Sequence, residues 1–305
     1  MTGLQTIFVL GKGGTGKSTA AALMALTLAS QGKKTLLASL DDAHNQSDIF
    51  QREFTHDRTA VTSCLDVLQV NRDREIRRYL AKTAGQVKTS FSYLTAFNLD
   101  HYFDVLKLSP GMEEYALVTA FESLVSRYKD VDFLIADMPP TALSLRFFNL
   151  PALSLAWIDR LEALRMDIRK KKEVISTIRF GKKEFERDKI LARIREIKSA
   201  HQDIRSRFQD PLQSRVVTVS NPDLLSRSET GRIHEEMSRL GIGIHAAVRN
   251  CRMPESQDIR SREADLRENE PVPVIDIPFS PSPLIGMKAL EHFIRTHGLV
   301  FAPVF

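Results

Sequence analysis

Gly11, Lys12, Gly13, Gly14, Thr15, Gly16, Lys17 and Ser18 form a run in which glycines are interleaved with two cations and two hydroxyls. The spacing satisfies G-x-x-x-x-G-K-[ST], and each part answers a need of a bound polyphosphate. Glycines let backbone N–H groups turn inward around phosphate oxygens, and a helix beginning at the loop adds partial positive charge. Lys17 is placed to contact β- and γ-phosphates, Ser18 to hold Mg²⁺, and Thr19 to continue the cradle into the helix. Lys12 is surplus to this chemistry, because a phosphate loop of this kind does not need a lysine there.

The loop works only if a strand delivers it and a helix carries it away. Residues 6–10 are a short apolar run, 18–30 read as a buried helix, and 35–40 are a second apolar run. Strand, loop, helix and strand in that order predict a right-handed crossover in a parallel sheet. Further strands are expected at 65–70, 131–136, 215–220, 244–249 and 273–277, alternating with helical segments. The predicted fold is α/β, a doubly wound, mostly parallel sheet of the P-loop NTPase kind. Two stretches break the rhythm, at about 72–108 and 153–206, and both read as helical insertions. In the second, Ile190, Ile194, Ile197, His201 and Ile204 keep the 3.5-residue spacing of a helical hairpin seam. With no internal repeat, low-complexity tract or flexible linker, residues 1–305 read as one domain.

The composition is that of a soluble globular protein, 43% hydrophobic and 27% charged. The net charge of +5 is concentrated, since residues 160–205 hold 15 Lys and Arg against 8 Asp and Glu. Those basic helices read either as a solvated face or as a docking surface for a partner or membrane. Neither a recognition motif nor aromatic interleaving accompanies them, so specific nucleic-acid binding is not expected. Cys64 and Cys251 lie far apart and read as packed thiols rather than a disulfide or zinc site. No uninterrupted run of about 18 apolar residues is present, and the chain opens on a strand rather than a leader, so a cytoplasmic location is expected.

The interior of the loop, KGGTGKS, resembles the deviant Walker A motif of the class that contains the ArsA, MinD, ParA and nitrogenase iron-protein families. Six further segments resemble the ArsA family. ASLDDAHNQSDIF at 38–50 is similar to its switch I, and DFLIADMPPTALSLRFFNLP at 132–151 to its Walker B and switch II. VTVSNPDLLSRSETGRIHEEM at 217–237 resembles its P-E-x-L-S-x-x-E-T-x-R segment, while AVRNC and IPFSPSPLIGMKAL resemble the strand end and loop that close on adenine. SPGMEEYAL is similar to its P-G-x-x-E.

The resemblance implies an ATPase that binds ATP/ADP and Mg²⁺. Lys12 would reach across a dimer interface to the partner's phosphates, as an arginine finger does. Asp41 would position or deprotonate the attacking water, and Ser18, Asp41 and Asp137 would serve the metal. Asn45, Asn250, Pro278 and Phe279 would contact the nucleoside. On residue type alone, Asp41 is more often a cap or turn residue, so its role rests on the motif, and a turn-forming Asn is the lesser alternative for Asn250. Departures from the family pattern are also visible. Asp42 replaces the usual proline, which alters switch I rigidity or metal preference. Ala142 and Leu143 replace Gly-His, predicting a more constrained, apolar switch II. The Cys-x-x-Cys clasp of the tail-anchored-protein targeting ATPase and the metalloid-binding cysteines of the pump ATPase are both missing.

One phosphate loop with a trans-acting lysine implies a homodimer. Three functions remain open on these residues. The first is a nucleotide-driven switch for membrane-protein targeting or chaperoning, with such a protein as client. The second is the energising subunit of an arsenite or other anion efflux pump, partnered by a membrane subunit. The third is a slow or non-catalytic regulatory switch.

Overall fold

The computed structural model describes residues 3–43, 45–90, 111–180, 188–252, 272–301 and 304. Residues 91–108 of the first expected insertion, residues 181–187 of the second and His44 of the switch I motif lie outside these. The strands are β1 (Gln5–Leu10), β2 (Thr35–Ser39), β3 (Thr59–Ala60), β4 (Leu65–Gln69), β5 (Phe133–Asp137), β6 (Ser214–Ser220), β7 (Ile244–Arg252) and β8 (Val274–Pro278). They form one sheet in the order β3-β4-β2-β5-β1-β6-β7-β8, parallel throughout except for the β3–β4 pair. All seven expected strands are present. Only β3 is additional, a two-residue antiparallel edge too short to leave an apolar pattern.

The described helices are α1 (Lys17–Ser30), α2 (Asn45–Phe50), α3 (Arg72–Ser90), α4 (Met112–Arg127), α5 (Thr141–Phe180), α6 (Lys189–Gln209), α7 (Leu224–Arg239) and α8 (Met287–His297). Alternation along β1 divides the interior into two cores. Ile7 and Val9 face α1 and α8, where Ala20, Leu23, Leu290 and Phe293 are buried. Phe8 and Leu10 face α4 to α7. On that side the Phe8 ring lies 5.2 Å from Phe121, 5.0 Å from Phe148 and 5.7 Å from Phe208, with Phe147 at 6.0 Å. Burying each such side chain contributes about 1.5–3 kcal/mol, so the strand that leads into the phosphate loop is locked to three helices at once.

The second insertion differs from expectation in its start and its seam. α5 begins at Thr141, immediately behind β5, and runs unbroken through Pro151 for 40 residues, about 60 Å. α6 buries Leu191, Ile204 and Phe208 and half-buries Ile194 and His201, while Ile190 and Ile197 of the expected seam are exposed. The seam is displaced because ions, not only apolar residues, join the hairpin. Lys198 meets Asp159 at 2.8 Å and Glu162 at 2.9 Å, and Arg195 meets Glu162 at 2.7 Å. Near the distal end Arg165 grips Asp188 through two nitrogens at 2.9 and 3.0 Å, while Asp188 also caps α6. Part of the basic charge in this region, that of Arg165, Arg195 and Lys198, is thus spent within the hairpin. α5 contains a window long and apolar enough to cross a membrane, but 56% of it is buried inside the fold, as in a core helix.

Candidate functional site

The parallel strands end on one edge, and their register sets the site. Asp137, the last residue of β5, lies level with Val9 on β1 and Ser39 on β2. Two residues beyond those neighbours come Gly11 and Asp41. The loop between β1 and α1 needs its glycines at two places for different reasons. A Cβ on Gly11 would lie 2.2 Å from the Val219 carbonyl of β6, and one on Gly16 would lie 2.2 Å from Asn250 Nδ2, with the Gly16 backbone at φ +83°. Gly13 and Gly14 instead face open space with nothing within 4 Å of a would-be Cβ. Backbone is therefore presented to open space, which leaves room for a phosphate chain.

Lys17 is buried at the start of α1, and its ammonium donates to the Lys12 carbonyl at 3.2 Å. The Thr15 hydroxyl donates to the same oxygen at 2.8 Å. Burial lowers the Lys17 pKa, while Asp137 and Asp41 oppose that shift. The Lys12 side chain is half-exposed on the loop. Asp137 is completely buried, and desolvation pushes its carboxyl up to about 6 against the pull of Gln46, Ser18 and Lys17. Asn45 Nδ2 donates to the Ser18 hydroxyl at 3.3 Å. Gln46, the next residue of α2, donates to both Asp137 and the Ser18 carbonyl.

The structure brings Lys12, Lys17, Ser18, Asn45, Asp137 and Asn250 around one loop, and Asp41 is close enough to act on the charges of Lys17 and Asp137. Asn250 is turned toward the loop, its Nδ2 donating to the Thr15 carbonyl at 2.9 Å. The chain is bent there: Cys251 has a left-handed backbone, φ 55°, and the β7–β8 register shifts between Arg249 and Arg252. Such a bulge re-aims the neighbouring side chain. Pro278 closes β8, and Phe279 after it is half-exposed at the same edge. Thr19 lies half-buried in the first turn of α1.

Asp42 points its charge elsewhere. Its carboxylate pairs with Arg72 at 2.5 Å, and Arg72 also reaches Glu113 at 3.4 Å, so the residue ties switch I to the starts of α3 and α4. Of the two effects expected at this position, rigidity fits the geometry and metal preference does not. Glu114 in turn pairs with Arg146 on α5 at 3.0 Å, and Leu143 is buried in the core on the Phe8 side of the sheet.

Comparison with known proteins gives this constellation its family. The family described as anion-transporting ATPase, the ArsA ATPases, matches residues 4–297. The chain belongs to the ArsA ATPase family. It is an ATPase and binds nucleotide. Among its relatives, ATPase GET3A of Arabidopsis thaliana is 26% identical over 307 residues, covering 95% of this chain and 82% of that protein. The ATPase ASNA1 homolog of Plasmodium vivax (strain Salvador I) is 30% identical over 256 residues, 81% of this chain but only 63% of its own length. A protein of Aquifex aeolicus (strain VF5), provisionally named arsenical pump-driving ATPase 2, is 26% identical over 304 residues, covering 96% of this chain and 98% of its own.

The sequence reading passed over Gln46 and Arg72 in this family site. Gln46 carried a faint signal, since Gln46, Ile49 and Phe50 form the buried face of α2 and a polar residue on such a face needs partners.

Proposed function

We propose that the chain is a Mg²⁺-dependent, homodimeric, cytoplasmic ATPase whose nucleotide state moves the α5–α6 hairpin to take up and release a membrane-protein client. The single domain 1–305 then carries its helical insertions as the moving part. The observation that carries this reading is on α5. Leu153, Trp157, Leu164 and Ile168 fall within roughly 60° of one another around a helix of 3.6 residues per turn. All four are exposed, Leu153 and Trp157 by 65% and 63%. The same helix starts four residues after Asp137, so a change at the phosphate site acts on the base of the apolar stripe. The names of the Arabidopsis and Plasmodium relatives, GET3A and ASNA1 homolog, accord with this reading.

Residues fit the nucleotide and cation. The open space over Gly13 and Gly14 suits phosphates, and two buried carboxylate and amide oxygens, Asp137 Oδ1 and Gln46 Oε1, lack a donor among the described residues. Ser18, Asp41 and Asp137 would hold Mg²⁺, which when bound neutralises charge on the β- and γ-phosphates. Lys17 binds phosphate oxygens once it leaves the Lys12 carbonyl. Asn250, Pro278 and Phe279 would contact the nucleoside, whereas Asn45, expected there too, sits on the Ser18 hydroxyl at the phosphate end. Asp41 accepts the proton of the attacking water or fixes its orientation, and Lys12 of one protomer neutralises charge at the other's phosphates.

The test is ATP turnover by the purified protein with a tail-anchor peptide, together with binding of that peptide in each nucleotide state. Trp157→Asp is expected to weaken peptide binding about tenfold, as loss of a buried aromatic anchor does, with basal turnover unchanged. A peptide that binds neither wild type nor nucleotide-loaded protein ends the client reading. The pump reading is favoured by the family description and by the name of the Aquifex relative, and stimulation of turnover by arsenite would establish it. Absence of measurable turnover would make the protein a regulatory switch.

Lys12→Ala is expected to lower turnover about 10³-fold while nucleotide affinity stays within about threefold, the pattern of a cation supplied in trans. Equal specific activity of monomer and dimer, measured by dilution with sedimentation analysis, would remove the trans role.

A further inference from the structure

Gln46 is fully buried on a six-residue helix, between the phosphate loop and the end of β5. Burying an amide there costs roughly 1–3 kcal/mol unless its groups find partners. Its Nε2 finds two, Asp137 Oδ2 at 2.9 Å and the Ser18 carbonyl at 3.0 Å. Both are acceptors, so the orientation of the amide is dictated: the NH₂ must face them and Oε1 must face away. Among the described residues that Oε1 is buried without a donor, and so is Asp137 Oδ1. Two acceptors without a donor among the described residues, beside a serine in a phosphate site, are open to O–H donors carried in by a ligand. The hydration shell of a hard divalent cation supplies such donors.

We propose that Gln46 is a positioning residue for the Mg²⁺–nucleotide complex. Its NH₂ holds Asp137 and the first turn of α1 in one arrangement, and its Oε1 accepts from water carried by the cation. The inference rests on the Mg²⁺ reading above and extends it to a residue five positions beyond Asp41. It also gives switch I a direct contact with the cation's surroundings, because α2 continues the segment that contains Asp41. Leucine at position 46 fills similar space but leaves Asp137 Oδ2 and the Ser18 carbonyl without their shared donor. Asparagine keeps the amide but is one methylene too short to span both.

The experiment measures the affinity of a fluorescent ATP analogue in Mg²⁺ and in EDTA for wild type, Gln46→Leu and Gln46→Asn. The gain in affinity on adding Mg²⁺ is expected to fall about tenfold in Q46L and about threefold in Q46N, with the EDTA affinities within about twofold of wild type. A purely packing role would move the EDTA affinities as well. Mg²⁺ gains within about twofold of wild type in both variants would overturn the proposal. Should circular dichroism show Q46L unfolded, Q46N alone decides by the same threshold. Wild type without any Mg²⁺ gain would overturn the metal reading itself and this inference with it, which separates the two failures.

Discussion

Asp41→Asn is expected to cut ATP turnover by about 10²–10⁴, the usual contribution of a positioned acid or base, while leaving the nucleotide Kd within about threefold. The reasoning starts from what the side chain does in the structure. Asp41 follows β2 on the edge where the strands end, and its Oδ1 lies 3.4 Å from the Ala43 N–H. Its charge is felt by both Lys17 and Asp137. Asparagine has nearly the same shape, keeps the Ala43 contact and leaves the glycine cradle and Lys17 untouched, so binding survives. What disappears is the negative charge and the ability to take a proton. Steady-state turnover beside equilibrium binding of ATP separates the two effects. Asp42→Asn is the matched control: it removes the adjacent charge, but that charge is committed to Arg72 and half in solvent, so only a few-fold change in turnover is expected. Full activity in Asp41→Asn would remove Asp41 from the chemistry.

The parts legible in the sequence were those set by local backbone requirements. Interior parallel strands are buried on both faces, so β1, β2 and β5 stand out as apolar runs, and β3, half-exposed and two residues long, does not. The phosphate loop was legible because positive φ and close approach demand glycine at Gly11 and Gly16 whatever the rest of the chain does. Gathering Asp41, Asp137 and Asn250 onto that loop required the resemblance, and the sheet register now supplies the physical reason. Contacts made across long separations stayed hidden. Arg72 answers a carboxylate thirty positions earlier, and Asn250 seats on Gly16 from the other end of the chain. The hairpin seam was misplaced by one residue at Ile190 and Ile197 because periodicity counts apolar residues, whereas the helices are joined partly by Lys198 and Arg195.

Asp137→Asn should abolish turnover and yet stabilise the nucleotide-free protein at neutral and alkaline pH. The carboxyl is fully buried, and desolvation lifts its pKa to about 6. For an acid raised in the folded state, the ionisation cost is absent below the unfolded value near 4. It builds as pH climbs and is complete above about 6, so stability is lost in that window. A displacement of about two units corresponds to roughly 3 kcal/mol as an upper figure. Asparagine removes that cost and can still accept from Gln46, and the attraction of Lys17 is already contained in the shift, so the net gain is at most about 3 kcal/mol. In a chain of this size that is a rise in Tm of up to roughly 4 °C at pH 8, shrinking to nothing by about pH 4. The same carboxyl must be ionised to serve a cation, so the wild type carries strain in its empty site that Mg²⁺-nucleotide relieves. Adding ATP and Mg²⁺ should therefore raise the wild-type Tm more than that of the variant. Equal melting temperatures of the two empty proteins at pH 8 would show that Asp137 ionises without penalty and that no such strain is stored.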